Sequence, residues 1–222
     1  MSDKIVIFDM DGVIVDTEPI YRKLSDRLYE SLGINLTKED QYALAGSVSQ
    51  DKWTLLKKQF NLKYPIEELM KMSSGIKYDY LANEENEIPL IEGVDKLILS
   101  LKSRGIMMCV ASSSRRKNIE IILKRVGLIS YFEYIVSGSD VEKGKPHPEI
   151  FLRAASMFDD NILNFTVIED TNNGVRAAKS AKMKCVGFSN PNSGTQNISS
   201  ADIIVDNFGD ESISRIINLV LK

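Results

Sequence analysis

A chain of 222 residues, with Lys+Arg 28 against Asp+Glu 31 and a net charge of -3, is long enough for one sizeable core or for a core carrying a smaller insert. Without a basic excess there is no electrostatic footprint for nucleic acid or for an anionic membrane, so the expected partner is a small diffusible molecule. The first residues show no charged-then-apolar leader pattern and no run of about 18 apolar residues occurs, which argues against a spanning helix and gives the expectation of a cytoplasmic protein.

The first predicted element is the apolar run KIVIF (4–8), a strand buried on both faces, which leads into FDMDGVIVDT with Asp9 and Asp11 two positions apart. From about Glu18 to Asn86 no strand pattern occurs. Helices are predicted instead over 19–32, 37–44, 50–60 and 65–84. The first of these places Leu24, Leu28 and Leu32 on one face with Gly33 as its C-cap, and TKED, Thr37 to Asp40, fits a helix start. Proline-bearing flanks, DTEP and NEIPLIEG, read as two linkers of an inserted helical domain. The expected division is 1–16 and 87–222 as the core and 17–86 as the insert.

Beyond the insert, strand and helix alternate. Strands are predicted at IMMCVA (106–111), YIVS (134–137), FTVIE (165–169), KCVGF (184–188) and DIIV (202–205). Helical spacing appears at Val94, Leu97, Ile98 and Leu101 before Gly105, at Ile119, Ile122, Leu123 and Val126 before Gly127, and at Ile213, Ile216, Ile217 and Val220. The fold class is therefore α/β: a parallel sheet with helices on both faces, three layers, plus an all-helical insert. Cys109 and Cys185 lie in apolar runs and read as buried thiols, and the single His147 excludes chemistry that needs two histidines.

In an open parallel sheet, ligands bind at the carboxyl ends of the strands. That rule brings Asp9 and Asp11, Ser112, and Glu169 with Asp170 to one rim, within reach of Lys145 in GKPHPE, ahead of a helix starting near Pro148. Each signal has a plainer reading taken alone. Strand-end aspartates begin turns, Ser112 to Ser114 or Thr171 can cap the following helix, and a lone lysine is usually solvated. The set is more specific than its parts. Converged carboxylates repel unless something positive joins them, and acidic oxygens in a small space fit Mg²⁺ and a phosphate, with Lys145 as a second positive charge.

Together DMDGVIVDT, VASSS, GKPHPE and VIEDTNNG resemble the four motifs of the haloacid dehalogenase-like superfamily, in its subgroup of small phosphatases and β-phosphoglucomutases with a helical cap. The resemblance covers residues 3 to about 190. It implies a Rossmann-like core, a cap inserted after the first strand, and phosphoryl transfer through a phosphoaspartate on Asp9 with Asp11 as general acid and base. It further implies that Ser112 and Lys145 hold phosphate, and that Asp9, the Asp11 main chain, Asp170 and Glu169 surround Mg²⁺. Thr17, Ser113, Tyr21, Gln50 and Lys77 are the expected substrate contacts. Tyr21 stands where the mutases carry a cap histidine and Gln50 where they carry an arginine, which favours phosphatase over β-phosphoglucomutase. The expected substrate is a small phosphorylated metabolite such as a sugar phosphate. The expected state is a monomer, with a dimer as the alternative. Lys182 and Glu92 replace the family's usual Gly and Pro. A different class rests on CVASSSR, whose Cys-x5-Arg spacing matches cysteine phosphatases and would make Cys109 the nucleophile.

Overall fold

The structure, a computed structural model, describes residues 4–37, 40, 49–158 and 161–222. Six parallel strands form one sheet: β1 (Ile5–Phe8), β2 (Met107–Ser112), β3 (Tyr134–Ser137), β4 (Phe165–Glu169), β5 (Lys184–Phe188) and β6 (Ile203–Val205). Their order across the sheet is β3-β2-β1-β4-β5-β6. The first strand is thus central, with Phe8 opposite Val110 on one side and Ile168 on the other. All of β1 is fully buried, as a two-face parallel strand requires.

Eight α-helices occur among the described residues. Three lie in the predicted insert: α1 (Glu18–Ser31), α2 (Ser49–Phe60) and α3 (Ile66–Ala82). The other five are α4 (Val94–Lys102), α5 (Arg116–Arg125), α6 (Glu149–Ala155), α7 (Asn172–Ser180) and α8 (Asp210–Leu221). Because strand side chains alternate between faces, Ile5 and Ile7 pack with Ile150 and Phe151 of α6 and Val175 and Ala178 of α7, while Val6 and Phe8 are buried on the opposite side. Two aromatic pairs pack within the core, Phe8 with Phe132 and Phe188 with Phe208.

The chain divides into two compact units, Met1–Thr17 with Glu87–Lys222, and Glu18–Asn86. Thr17, expected at the start of the cap, belongs to the first unit, because its side chain is fully buried and bonded to Asp11. The second unit has its own core of Leu28, Tyr29, Ile34, Trp53, Leu56 and Leu69, with the Tyr29 and Trp53 rings meeting edge to face at 5.9 Å. Gly33 ends α1 with φ +70, and the Ile34 amide returns to Tyr29 O at 2.8 Å. Thr37 and Asp40 form the reciprocal capping pair, each side chain accepting from the other's main-chain amide. Most of the helix predicted over 37–44 lies outside the described residues.

Candidate active site

The central position of β1 decides where the site lies. Crossovers run to one side of β1 through β2 and β3 and to the other through β4, β5 and β6, so the switch point falls beside the carboxyl end of β1. Asp9 is the next residue along; its amide continues the ladder to Ile168 O at 3.0 Å, and its carboxylate is buried beside Glu169. Lys145 reaches into this spot from the loop before α6. Its ammonium donates to an Asp9 carboxylate oxygen, to Glu169 Oε1 at 2.7 Å and to Ala111 O at 3.2 Å, over the Phe151 ring at 5.0 Å.

Burial dominates the electrostatics here. It lifts the Asp9 carboxyl from an ordinary 3.8 to about 7 against the pull of Lys145, with Glu169 and Asp11 adding repulsion. Burial alone would depress Lys145, but Asp9 and Glu169 outweigh it and hold the ammonium above its ordinary range. Glu169 has both oxygens occupied. Oε1 takes Lys145, and Oε2 accepts from the Thr171 amide at 2.8 Å and hydroxyl at 2.9 Å. That hydroxyl also caps α7 by accepting from Gly174 N at 3.1 Å, so the capping reading of Thr171 holds alongside the functional one. A side chain at Gly174 would put its Cβ 1.7 Å from Glu169 Oε1, which explains the glycine.

Asp11 is held by hydroxyls. Thr17 Oγ1 donates at 2.6 Å, Ser114 Oγ at 2.7 Å and Ser112 Oγ at 3.4 Å. The serines do not cap α5, whose N-cap is Arg115 without a side-chain bond. Ser114 was not singled out by its sequence position, although it lies in the VASSS run; its place is fixed by Ser137, whose buried hydroxyl donates to Ser114 O at 2.8 Å. Ser113 contributes main chain, its carbonyl packing so closely on Gly138 that a Cβ there would lie 2.6 Å away, while its side chain is exposed.

Asp170 completes the rim. Ser193 Oγ donates to its Oδ2, and its buried Oδ1 has no hydrogen-bond partner among the described residues. Gly12, with φ +88, lies against this carboxylate so tightly that a Cβ would come within 2.2 Å of Oδ2, and Asn190 Nδ2 secures Gly12 O at 2.9 Å. Burial, then Glu169 and Asp9, push the Asp170 carboxyl well above its ordinary value. A buried carboxylate oxygen without a donor, next to a second buried carboxylate, is a fit for a hard cation. Among the described residues no cluster of three or more His, Cys, Asp or Glu side chains is arranged to hold a metal unaided. A pair of buried carboxylates suits a hard divalent cation that takes one or two carboxylates and fills its remaining positions with other oxygens. Ser193 and Asn190 also escaped the sequence reading; both follow β5, where the strand-end rule would have led.

The expected cap contacts lie in the second unit. Tyr21 is buried on α1 with Lys77 Nζ of α3 over its ring at 4.1 Å, whereas Gln50 is exposed in the first turn of α2. The cysteine-nucleophile reading fails. Cys109 is fully buried inside β2 among Ile7, Phe151 and Val167, and burial drives its thiol far above the ordinary range, so it cannot present a thiolate to substrate.

Comparison with known proteins shows the family. The haloacid dehalogenase-like hydrolase family model matches residues 6–188. A phosphorylated carbohydrates phosphatase of Thermotoga maritima is 33% identical over 79% of this chain and 80% of its own length. A β-phosphoglucomutase of Bacillus subtilis is 34% identical over 83% of this chain and 82% of its own. The crystal structure of β-phosphoglucomutase from Clostridium difficile superposes with a TM-score of 0.78 at 26% identity, covering 98% of both chains. By sequence match, sheet order and site geometry alike, the chain is an enzyme of the haloacid dehalogenase-like hydrolase family.

Proposed function

We propose that the enzyme is a Mg²⁺-dependent phosphatase that hydrolyses a small phosphorylated metabolite, a sugar phosphate, through a phosphoaspartate on Asp9. The observation that carries this reading is the buried Lys145 ammonium bridging Asp9 and Glu169, with Asp11 on a separate set of hydroxyls nearby in the chain. The two aspartates then have different environments and different roles. One Asp9 oxygen attacks phosphorus as the ester P–O bond breaks, and Asp11, protonated at that stage, gives its proton to the leaving alkoxide. Asp11 then takes a proton from water as the water oxygen attacks phosphorus; the Asp9–phosphorus bond breaks and inorganic phosphate leaves. Thr17, Ser112 and Ser114 can serve both states of Asp11, since a hydroxyl donates to the carboxylate and turns to accept from the acid.

Asp9 and Asp170, with the Asp11 carbonyl, would hold Mg²⁺, which when bound neutralises charge on the transferring phosphoryl oxygens. Glu169, with both oxygens engaged, is assigned to orienting Lys145. The acid at position 11 matches phosphate ester chemistry, and the named activity of the Thermotoga maritima relative supports a phosphorylated carbohydrate as substrate.

The second reading, a β-phosphoglucomutase, rests on the Bacillus subtilis relative. A mutase must retain and reorient a bisphosphate, and Tyr21 and Gln50 in place of histidine and arginine weaken that grip. Phosphorus NMR of the purified enzyme with a panel of phosphorylated sugars, including β-glucose 1-phosphate primed with its bisphosphate, separates the two. Metal-dependent inorganic phosphate is the expected product; accumulation of glucose 6-phosphate would establish the mutase instead.

A further inference from the structure

The loop that follows β5, NPNSGTQ from Asn190 to Gln196, is held by side chains along its length. Asn190 is buried and starts a short turn over Pro191–Ser193: its Oδ1 accepts from Asn192 N at 2.8 Å, and Ser193 N returns to Asn190 O at 3.2 Å. Asn192 Nδ2 donates to Asp16 Oδ2 at 2.7 Å, which ties the loop to the third aspartate of DMDGVIVDT. Gln196 Nε2 donates to Ser193 O at 3.1 Å, and its Oε1 accepts from the amide of Asn172, the first residue of α7, at 3.0 Å. The main chain of Ser193 is therefore fixed at both its amide and its carbonyl. Its hydroxyl is the group that this loop delivers to Asp170 Oδ2, the same oxygen against which Gly12 packs. One oxygen of that carboxylate is engaged and hemmed in; the other, Oδ1, is the one left to offer.

We propose that Ser193 is a positioning residue for Asp170: by occupying Oδ2 it leaves the carboxylate a single oxygen for a cation, and so makes the site discriminate for Mg²⁺ against Ca²⁺. This rests on the Mg²⁺ assignment made above and deepens it. Ca²⁺ gathers about six to eight oxygens in a flexible shell and takes a carboxylate through one oxygen or both, whereas the smaller Mg²⁺ demands near-octahedral geometry and uses few protein carboxylates. Freeing Oδ2 would add an oxygen that the larger ion can use and would loosen the one that the smaller ion needs fixed. Asn192 and Asp16 act one step further out, by holding the loop that carries Ser193.

Titration calorimetry of the intact, EDTA-treated enzyme with Mg²⁺ and, separately, with Ca²⁺ tests it without any substrate. Wild type is expected to bind Mg²⁺ more tightly. Ser193→Ala is expected to weaken Mg²⁺ by about tenfold and to lower the ratio of the Ca²⁺ to the Mg²⁺ dissociation constant by at least about as much, and Ser193→Thr, which keeps the hydroxyl, to restore both. A general loss of packing would weaken the two cations alike, so a ratio unchanged by Ser193→Ala overturns the proposal. Should that variant fail to fold by circular dichroism, Asn192→Ala decides in its place, with a smaller fall in the ratio expected and no fall overturning the proposal. Binding of neither cation by wild type overturns the Mg²⁺ assignment and this proposal with it. If Mg²⁺ binds but no phosphate ester is hydrolysed, the phosphatase reading fails by itself, and the ratio of the two constants still decides the role of Ser193.

Discussion

Asp9 is the residue on which charge, burial and chemistry meet. Its carboxyl, held up to about 7 when folded against 3.8 in an unfolded chain, keeps a proton that the unfolded chain releases. The folded state therefore binds more protons between those two values, so the metal-free protein loses stability as pH rises from about 4 to about 7. In EDTA the melting temperature should fall over that range, Asp9→Asn should flatten the fall, and Mg²⁺ should restore more stability at pH 7.5 than at pH 5. The same Asp9→Asn variant should lose turnover by at least about a thousandfold with its circular dichroism unchanged. Retained activity would remove the phosphoaspartate. Gly12→Ala should weaken Mg²⁺ binding about 10- to 100-fold by titration, since a Cβ at φ +88 would displace the Asp170 carboxylate. Asp9, Asp11, Lys145 and Asp170 were legible because strand ends and a four-part motif announce them. Ser114 and Ser193 were not: serine is common in loops, and the Ser114 bond to Asp11 spans 103 positions that only the folded sheet brings together.

Among the described residues the strands were legible to within a residue or two, because short apolar runs leave little choice of period. One departure has a local cause. Lys182 stands at φ +60 just past the end of α7, where Met183 N returns to Ala178 O at 3.1 Å. That left-handed position closes the helix and suits glycine. Lys182→Gly should raise stability by about 1 kcal/mol in denaturant unfolding without changing kcat. The loop carrying Lys145 is fastened by Glu149, whose carboxylate accepts from the amides of Glu142 at 2.8 Å and Lys143 at 3.1 Å. Removing it as Glu149→Ala should lower kcat while a glutamine, which keeps one acceptor, should recover part of the loss. Sequence periodicity gave no sign of this brace, since helix-start glutamates are usually explained by the helix alone.

At the scale of the whole molecule, an alternating core with one helical interruption was readable from composition of the segments, whereas the strand order β3-β2-β1-β4-β5-β6 is visible only in the folded sheet. What could not be read was substrate choice. The groups on the core rim address phosphate, which every phosphate ester shares, so they leave the rest of the substrate unread.

The central placement of β1 has a consequence for synthesis on the ribosome. The strand leading to Asp9 emerges well before its two sheet neighbours, which begin at Met107 and Phe165, and Ser193 is later still. A nascent chain can fold Glu18–Asn86 from its own local contacts while β1 waits, an apolar ribbon with neither edge covered. Translation must therefore pass Phe165 and Ser193 before the nucleophile has a site around it, and the interval is when this protein most needs a chaperone.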